Sequence, residues 1–332
     1  MVFCFLILVH EFGHYIFARI FKVEIKEFSI GMGPKIFSKV SKKKDIKYSV
    51  RILPIGGYVS MVGENEESEH INAFCNKPCY QRLIITVAGA LFNILLGIIL
   101  MFAMTISMPK SGTTEIAKFY DNAVSCKYGL SVGDKILEID GNYTPTMNSV
   151  VYEIGHSGGK AVDIKVERNG IETELYAVSF GTETENSITF GEIDFKFCSI
   201  EKSISNVVKD SFYNSFLTVR MIWDSLFDLI TGRYSIDALS GPVGVTTTIG
   251  EAVKGGATSF FYLCSMLAMN LGIFNMLPIP ALDGGRTFFL LVELLRGKPI
   301  NRKYEGYIHT IGFMLLIILM IFVTYKDILR LL

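Results

Sequence analysis

The chain of 332 residues is half apolar, balances 32 basic against 32 acidic side chains, and has a mean hydropathy of +0.39. Zero net charge removes the electrostatic case for a nucleic-acid partner, and so apolar a composition departs from that of ordinary soluble domains. Six cysteines, at 4, 75, 79, 126, 198 and 264, suggest no disulfide scaffold; Cys75 and Cys79 lack a second pair to complete a zinc knuckle and read as ordinary thiols.

Four apolar runs, at 2–21, 83–107, 257–277 and 307–325, match the roughly 20 residues that a bilayer core requires. The first lacks a basic leading region, and His10-Glu11 interrupts it, so it reads as a span rather than a signal peptide. Basic residues crowd the segment 22–82 and the short loop 286–303. The positive-inside rule places both in the cytoplasm, and both chain ends and the long segment 108–254 outside. The expectation is an α-helical polytopic protein of the cell membrane, with the lipid bilayer as a partner.

In the first basic segment, DIKYSVRI alternates. Ile46, Tyr48, Val50 and Ile52 point one way, and Asp45, Lys47, Ser49 and Arg51 the other, as in a half-exposed strand. VEIKEFSIGMGPKIF is its expected partner, with the lysines 42–44 near the turn, giving a membrane-associated cytoplasmic hairpin. Gly56 and Gly57 break the PIGGYVSMVGE stretch that follows, and ENEESE at 64–69 reads as a solvated loop.

The external segment holds a β-rich domain at 112–181, with turn signals at Asp140-Gly141 and Asn169-Gly170. From about 203 to 230, Ile204, Val208, Phe212, Phe216, Val219, Trp223, Leu226 and Ile230 recur at helical spacing. That helix is too polar to span, so it reads as packed or interfacial. The expected organisation is a first membrane part (1–107, including the hairpin region 22–82), the β-rich domain (112–181), an amphipathic helical region (200–232) and a second membrane part (233–332).

The chemistry concentrates in the first span. His10 and His14 lie four residues apart, one turn on one helix face. Two imidazoles so placed can share a zinc ion, and Glu11 stands beside them to take a proton from a water. The bland alternative is a histidine pair on a polar seam. Ionisable groups within a span are costly and usually mark a site.

Two imidazoles leave zinc short of a third protein ligand. His70 lies in an acidic loop and His156 in the external domain; His309, at the start of the fourth run, is a weaker candidate. Asp283 is the better one. It follows an apolar run, after Pro278 and Pro280 and before Gly284-Gly285, where the backbone leaves the helix. Its bland reading is a turn aspartate in a cytoplasmic loop.

The HExxH span together with NMLPIPALDGG resembles the site-2 protease family of intramembrane zinc metalloproteases. RILPIGGYVSMVGE, FCNKPCYQRLIITVAGALFNILLG and LSGPVGV at 239–245 resemble further family segments, with Ala90 in place of a usual proline. The external domain, with YGLSVGDKILEIDG, looks like a PDZ domain without a GLGF-like carboxylate-binding loop, which favours exclusion of bulky substrates over capture of a free C-terminus. One such domain and four spans resemble the bacterial branch that cleaves anti-sigma factors and signal-peptide remnants.

By position, the resemblance implies zinc ligands His10, His14 and Asp283 and a catalytic base Glu11. It implies a substrate-holding amide at Asn275, whose bland reading is a helix-terminal cap, and a family asparagine at Asn93, which could also simply tie two helices together. The strand 45–52, centred on Val50, resembles an edge that receives substrate as an added strand. Implied partners are single-pass membrane proteins, first cut by an upstream site-1 protease. Only nine residues precede His10, where the family usually has more; at 1.5 Å per residue they rise about 13–15 Å, half of the ~30 Å core.

Two rivals stand against an endopeptidase. A non-catalytic adaptor using its PDZ domain to tether partners would not need Glu11. A zinc transporter would want ionisable residues along several spans rather than in one span and one loop.

Overall fold

The computed structural model describes residues 2–41, 45–64, 66–185, 188–233, 241–300 and 302–331. The turn lysines 42–44, Asn65 of the acidic loop, Leu239 and Ser240 of the 239–245 motif and the two terminal residues lie outside the described residues.

The first half of the chain forms α1 (Val2–Ile20), β1 (Ile25–Val40), β2 (Lys47–Met61), α2 (Cys79–Ser107), β3 (Ser111–Phe119), β4 (Lys135–Ile139), β5 (Asn142–Tyr143), α3 (Met147–His156) and β6 (Val162–Arg168). It continues with β7 (Ile171–Val178), β8 (Gly181–Glu185), β9 (Ile188–Glu192), β10 (Phe195–Ile200) and α4 (Ile204–Thr231). The last elements are α5 (Pro242–Lys254), α6 (Ala257–Met276), α7 (Asp283–Arg296) and α8 (Arg302–Leu331). They group into two compact units: Met1–Leu100 with Ser240–Glu251 and Tyr262–Leu332, and Met101–Leu239 with Ala252–Phe261.

Among the described residues, four helices are long and apolar enough to cross a membrane: Val2–Ile20, Cys79–Ser107, Ala257–Met276 and Tyr304–Leu329. A helix satisfies its own backbone in lipid, which is why runs of this composition take that form. The chain is a multi-pass membrane protein. Along α8 the buried side is narrow, reduced to Gly312, Val323 and Asp327 among its described positions, and residues such as Ile311, Phe313, Leu315, Ile318 and Ile321 are exposed apolar surface of the kind lipid covers.

In the first unit, β1 and β2 form an antiparallel pair in which each strand bends on itself. Gly31 and Gly56, at φ of 84° and 79°, take the left-handed conformation that the bends require. The first arm of β2 therefore has two neighbours: Val50 pairs with Ile30 on one side and with Phe37 on the other. This corrects the expectation that 45–52 offers an edge. An alternating pattern reveals a strand but not how many partners it has, and here the bend in β1 supplies a second. Among the described residues, the second arm of β2 pairs through Gly57, Tyr58 and Val59 with Ile30, Ser29 and Phe28 alone, so this arm is an edge there. Beneath the sheet, Ala18, Val23, Ile25, Ile46, Phe74 and Ile85 form a small core that joins it to α1 and α2.

The second unit is built on a six-stranded sheet in the order β10-β3-β4-β6-β7, with β5 paired to β4. The sheet takes in Phe195–Ile200, beyond the expected stretch 112–181. Ile116, Ile136, Ile139, Val150, Ile164 and Phe195 are central in its core. On α4, Ser211, Asn214, Ser215 and Thr218 are buried while Phe212, Phe216, Trp223 and Phe227 are exposed, the reverse of a helix on a soluble domain.

Candidate metal centre

The site is assembled within the first unit from α1, α2 and the turn before α7. Helical periodicity puts His10 and His14 on the same buried side of α1, 7% and 9% exposed. Pro278 and Pro280 end the third apolar run, and the chain re-enters a helix at Asp283, whose carboxylate suits the positive end of α7.

Three donor atoms converge. His10 Nε2 lies 2.8 Å from Asp283 Oδ2, His14 Nε2 lies 3.1 Å from the same oxygen, and the two Nε2 atoms are 3.2 Å apart. Zinc bonds of about 2.0–2.2 Å at tetrahedral angles hold ligand atoms roughly 3.3–3.6 Å apart. The triangle comes within about half an ångström of that spacing, and a His-His-carboxylate set is the donor chemistry of open, catalytic zinc sites. These three residues are also the one cluster of metal-holding geometry among the described residues. The site fits the metal.

The surroundings fix the histidines. The Ile85 carbonyl accepts from His14 Nδ1 at 2.8 Å, so the proton sits there and the Nε2 lone pair faces the centre. Asn93 is fully buried with its amide nitrogen 3.3 Å from His10 Nδ1, while its Oδ1 has no partner among the described residues. A half-turn of that amide lets Oδ1 accept from Nδ1–H and sets His10 in the same tautomer as His14.

Glu11 is not among the three donors; its Oε2 accepts the Val59 backbone N–H at 3.0 Å. A cavity of about 190 Å³ opens here, lined by Glu11, His14, Tyr58, Val59, Asp283 and Arg286. Asn275 is half-buried near the end of α6 and makes no side-chain hydrogen bond among the described residues. Val50 stands apart, in the doubly paired arm of the sheet.

The other histidines have different partners. His70 pairs with Glu24 at 2.8 Å, His156 takes a hydrogen bond from Arg233 at 3.0 Å, and His309 accepts the Ala281 N–H at 2.9 Å.

Two contributors were not evident from the sequence. A Cβ at Gly89 would stand 2.4 Å from His14 Nε2 and 2.8 Å from His10 Cε1, so α2 reaches the imidazoles only because residue 89 has no side chain. Its signal was the small-residue run Ala88-Gly89-Ala90 within a span. Glu64, assigned above to a solvated loop, accepts from Arg286 at 2.6 Å and from the Met61 N–H at 3.3 Å, and so lines the site.

A multi-pass membrane protein that gathers two imidazoles and a carboxylate beside a glutamate outside the donor set belongs, by class, with membrane metallopeptidases. The model of peptidase family M50 matches residues 1–319, and the chain belongs to that family. It is similar to a provisionally named zinc metalloprotease of Fusobacterium nucleatum, 39% identical over 98% of this chain and 96% of the relative. The zinc metalloprotease RasP of Geobacillus kaustophilus is 29% identical over 99% of this chain and 96% of its own length. The regulator of sigma-W protease RasP of Bacillus subtilis is 28% identical over 100% of this chain and 97% of its own. The protein is thus a zinc metalloprotease of the site-2 type.

Proposed function

We propose that this chain cleaves single-pass membrane proteins within or beside the bilayer, with His10, His14 and Asp283 holding zinc and Glu11 serving as catalytic base. One observation carries the reading: three donor atoms 2.8–3.2 Å apart, with Glu11 next to them on the same helix. Bound zinc supplies Lewis acidity, acidifying a water and polarising the scissile carbonyl. Glu11 takes the proton of the attacking water and passes it to the leaving amine. Asn93 orients His10, and Asn275, with its free amide, holds the substrate backbone.

A helical substrate hides its amides in its own hydrogen bonds and must be extended to be cut. The edge arm Gly57–Val59 of β2 offers pairing beside the site, which supports strand addition there rather than at Val50. The basic segments 22–82 and 286–303 support a cytoplasmic sheet and external chain ends, with a PDZ-like domain at 112–181 also outside. The sigma-W regulator name of the Bacillus subtilis relative supports anti-sigma factors as a substrate class, trimmed first by a site-1 protease. Signal-peptide remnants are a second class open to the same chemistry.

Membrane proteomics of a Glu11→Gln strain tests this. Membrane-spanning fragments should accumulate in it and disappear when wild-type protein is restored. An unchanged fragment pattern would favour a non-catalytic adaptor.

A further inference from the structure

The ligand Asp283 is delivered by a turn that works against its own residue preference. Leu282 N–H donates to the Ile279 carbonyl at 3.2 Å, closing a four-residue turn with Pro280 second and Ala281 third. Ala281 has a φ of 76°. That is the type II arrangement, in which proline suits the second position and the third calls for glycine or asparagine. An alanine held there is strained, and it persists only if its surroundings over-determine it.

The restraint comes from α8. In a type II turn the third residue's N–H has no partner within the turn, and an amide left unbonded where the chain is part-buried is costly. His309 Nδ1 accepts that N–H at 2.9 Å. Because a backbone amide can only donate, His309 is here an acceptor at Nδ1. One turn further along the same face, Gly312 lets Pro280 come so close that a Cβ would lie 2.4 Å from the proline Cβ and 2.7 Å from its carbonyl oxygen. The Phe289 ring, on α7, meets the imidazole at a centroid distance of 5.8 Å. The otherwise sparsely buried α8 thus touches the turn at the point where the chain is strained.

We propose that His309 is a positioning residue for the metal centre: by accepting the Ala281 N–H it holds the strained 279–282 turn and so fixes Asp283 against His10 and His14. It acts through the backbone and is not itself a ligand. The inference rests on the assignment of Asp283 as a ligand.

The test follows loss of zinc from purified full-length protein to a chelator, with detergent-phase monodispersity and helical circular dichroism checked for each variant. His309→Phe keeps the ring and removes the acceptor; its zinc should be lost about 10- to 100-fold faster, as for other supporting partners of metal ligands. His309→Asn places an amide oxygen near the Nδ1 position and should restore retention to within about threefold of wild type. Ala281→Gly removes the strain, so Ala281→Gly with His309→Phe should retain zinc better than His309→Phe alone. Wild-type retention in His309→Phe would overturn the proposal. So would equal losses in the phenylalanine and asparagine variants, or no recovery from the added glycine. Asp283→Ala separates the premise: if it keeps its zinc, the ligand assignment falls, and the clamp with it.

Discussion

Glu11 and Val59 are joined by a hydrogen bond of 3.0 Å from the backbone amide of one to the carboxylate of the other. The bond ties the proposed base on α1 to the edge arm of β2. A substrate strand laid along that arm would therefore lie beside the proposed base and the His10–His14–Asp283 triangle together. Val59 pairs inward with Phe28, and its N–H points away from that partner towards the site.

Proline separates the two arms of β2. At Val59 it removes an N–H that faces out of the sheet, a position where edge strands tolerate proline. Val59→Pro should keep the zinc and lower cleavage of a membrane-embedded substrate by about 10- to 100-fold, the worth of a hydrogen bond to a charged group. At Val50 the strand is paired on both sides. Val50→Pro should instead lower protein level and thermal stability, by at least the ~0.5–1.5 kcal/mol of a lost ladder hydrogen bond. Comparing melting temperature, zinc content and cleavage in the two variants checks this; full cleavage by Val59→Pro would exclude this edge.

Gly89→Ala should damage the proposed metal centre without replacing any of its proposed ligands. The added methyl would need space already held by His14 Nε2 at 2.4 Å. Overpacking of this kind costs about 1–3 kcal/mol, and the group that must give way here is an imidazole. Zinc affinity should fall about 10- to 100-fold in chelator competition, on the scale of other changes just outside a ligand set. Wild-type affinity would show that the helices part easily at this point.

The bent sheet carries its own acid sensitivity. Burial pushes the Glu27 carboxyl up, but hydrogen bonds from Ser49, Arg51 and Lys35 outweigh it and hold it down to about 2. A depressed carboxyl stabilises the fold above its unfolded value near 4.5, and that contribution is lost as pH falls towards 2. Glu27→Gln should melt below wild type at pH 7, and the gap should narrow as pH falls below about 4.5. Melting curves of the solubilised protein between pH 7 and pH 3 measure it. A gap that stays constant would show that the carboxylate charge is not what Glu27 contributes.

Much of this centre is legible in the sequence because its parts obey local rules. A 3.6-residue period puts His10 and His14 on one side of α1, and two prolines followed by Asp283-Gly284-Gly285 mark where the third run breaks. The four spans follow from apolar length alone and fall close to the expected runs. What escaped depends on distant pairing. Val50 looked like an edge residue because its second neighbour, Phe37, arrives through the bend in β1. Glu64 looked solvated because its partner Arg286 lies 222 residues away. Gly89 looked like any small residue in a span, since only the approach of α1 gives its missing side chain a purpose.

The most direct test of the account is the metal content of purified protein. Wild type should hold about one zinc per chain, as one three-ligand site implies. His10→Ala, His14→Ala and Asp283→Ala should each lose most of it, while Glu11→Gln should keep it and lose cleavage. Full zinc in the His10 and Asp283 variants, or its loss in Glu11→Gln, would contradict the assignment of these residues.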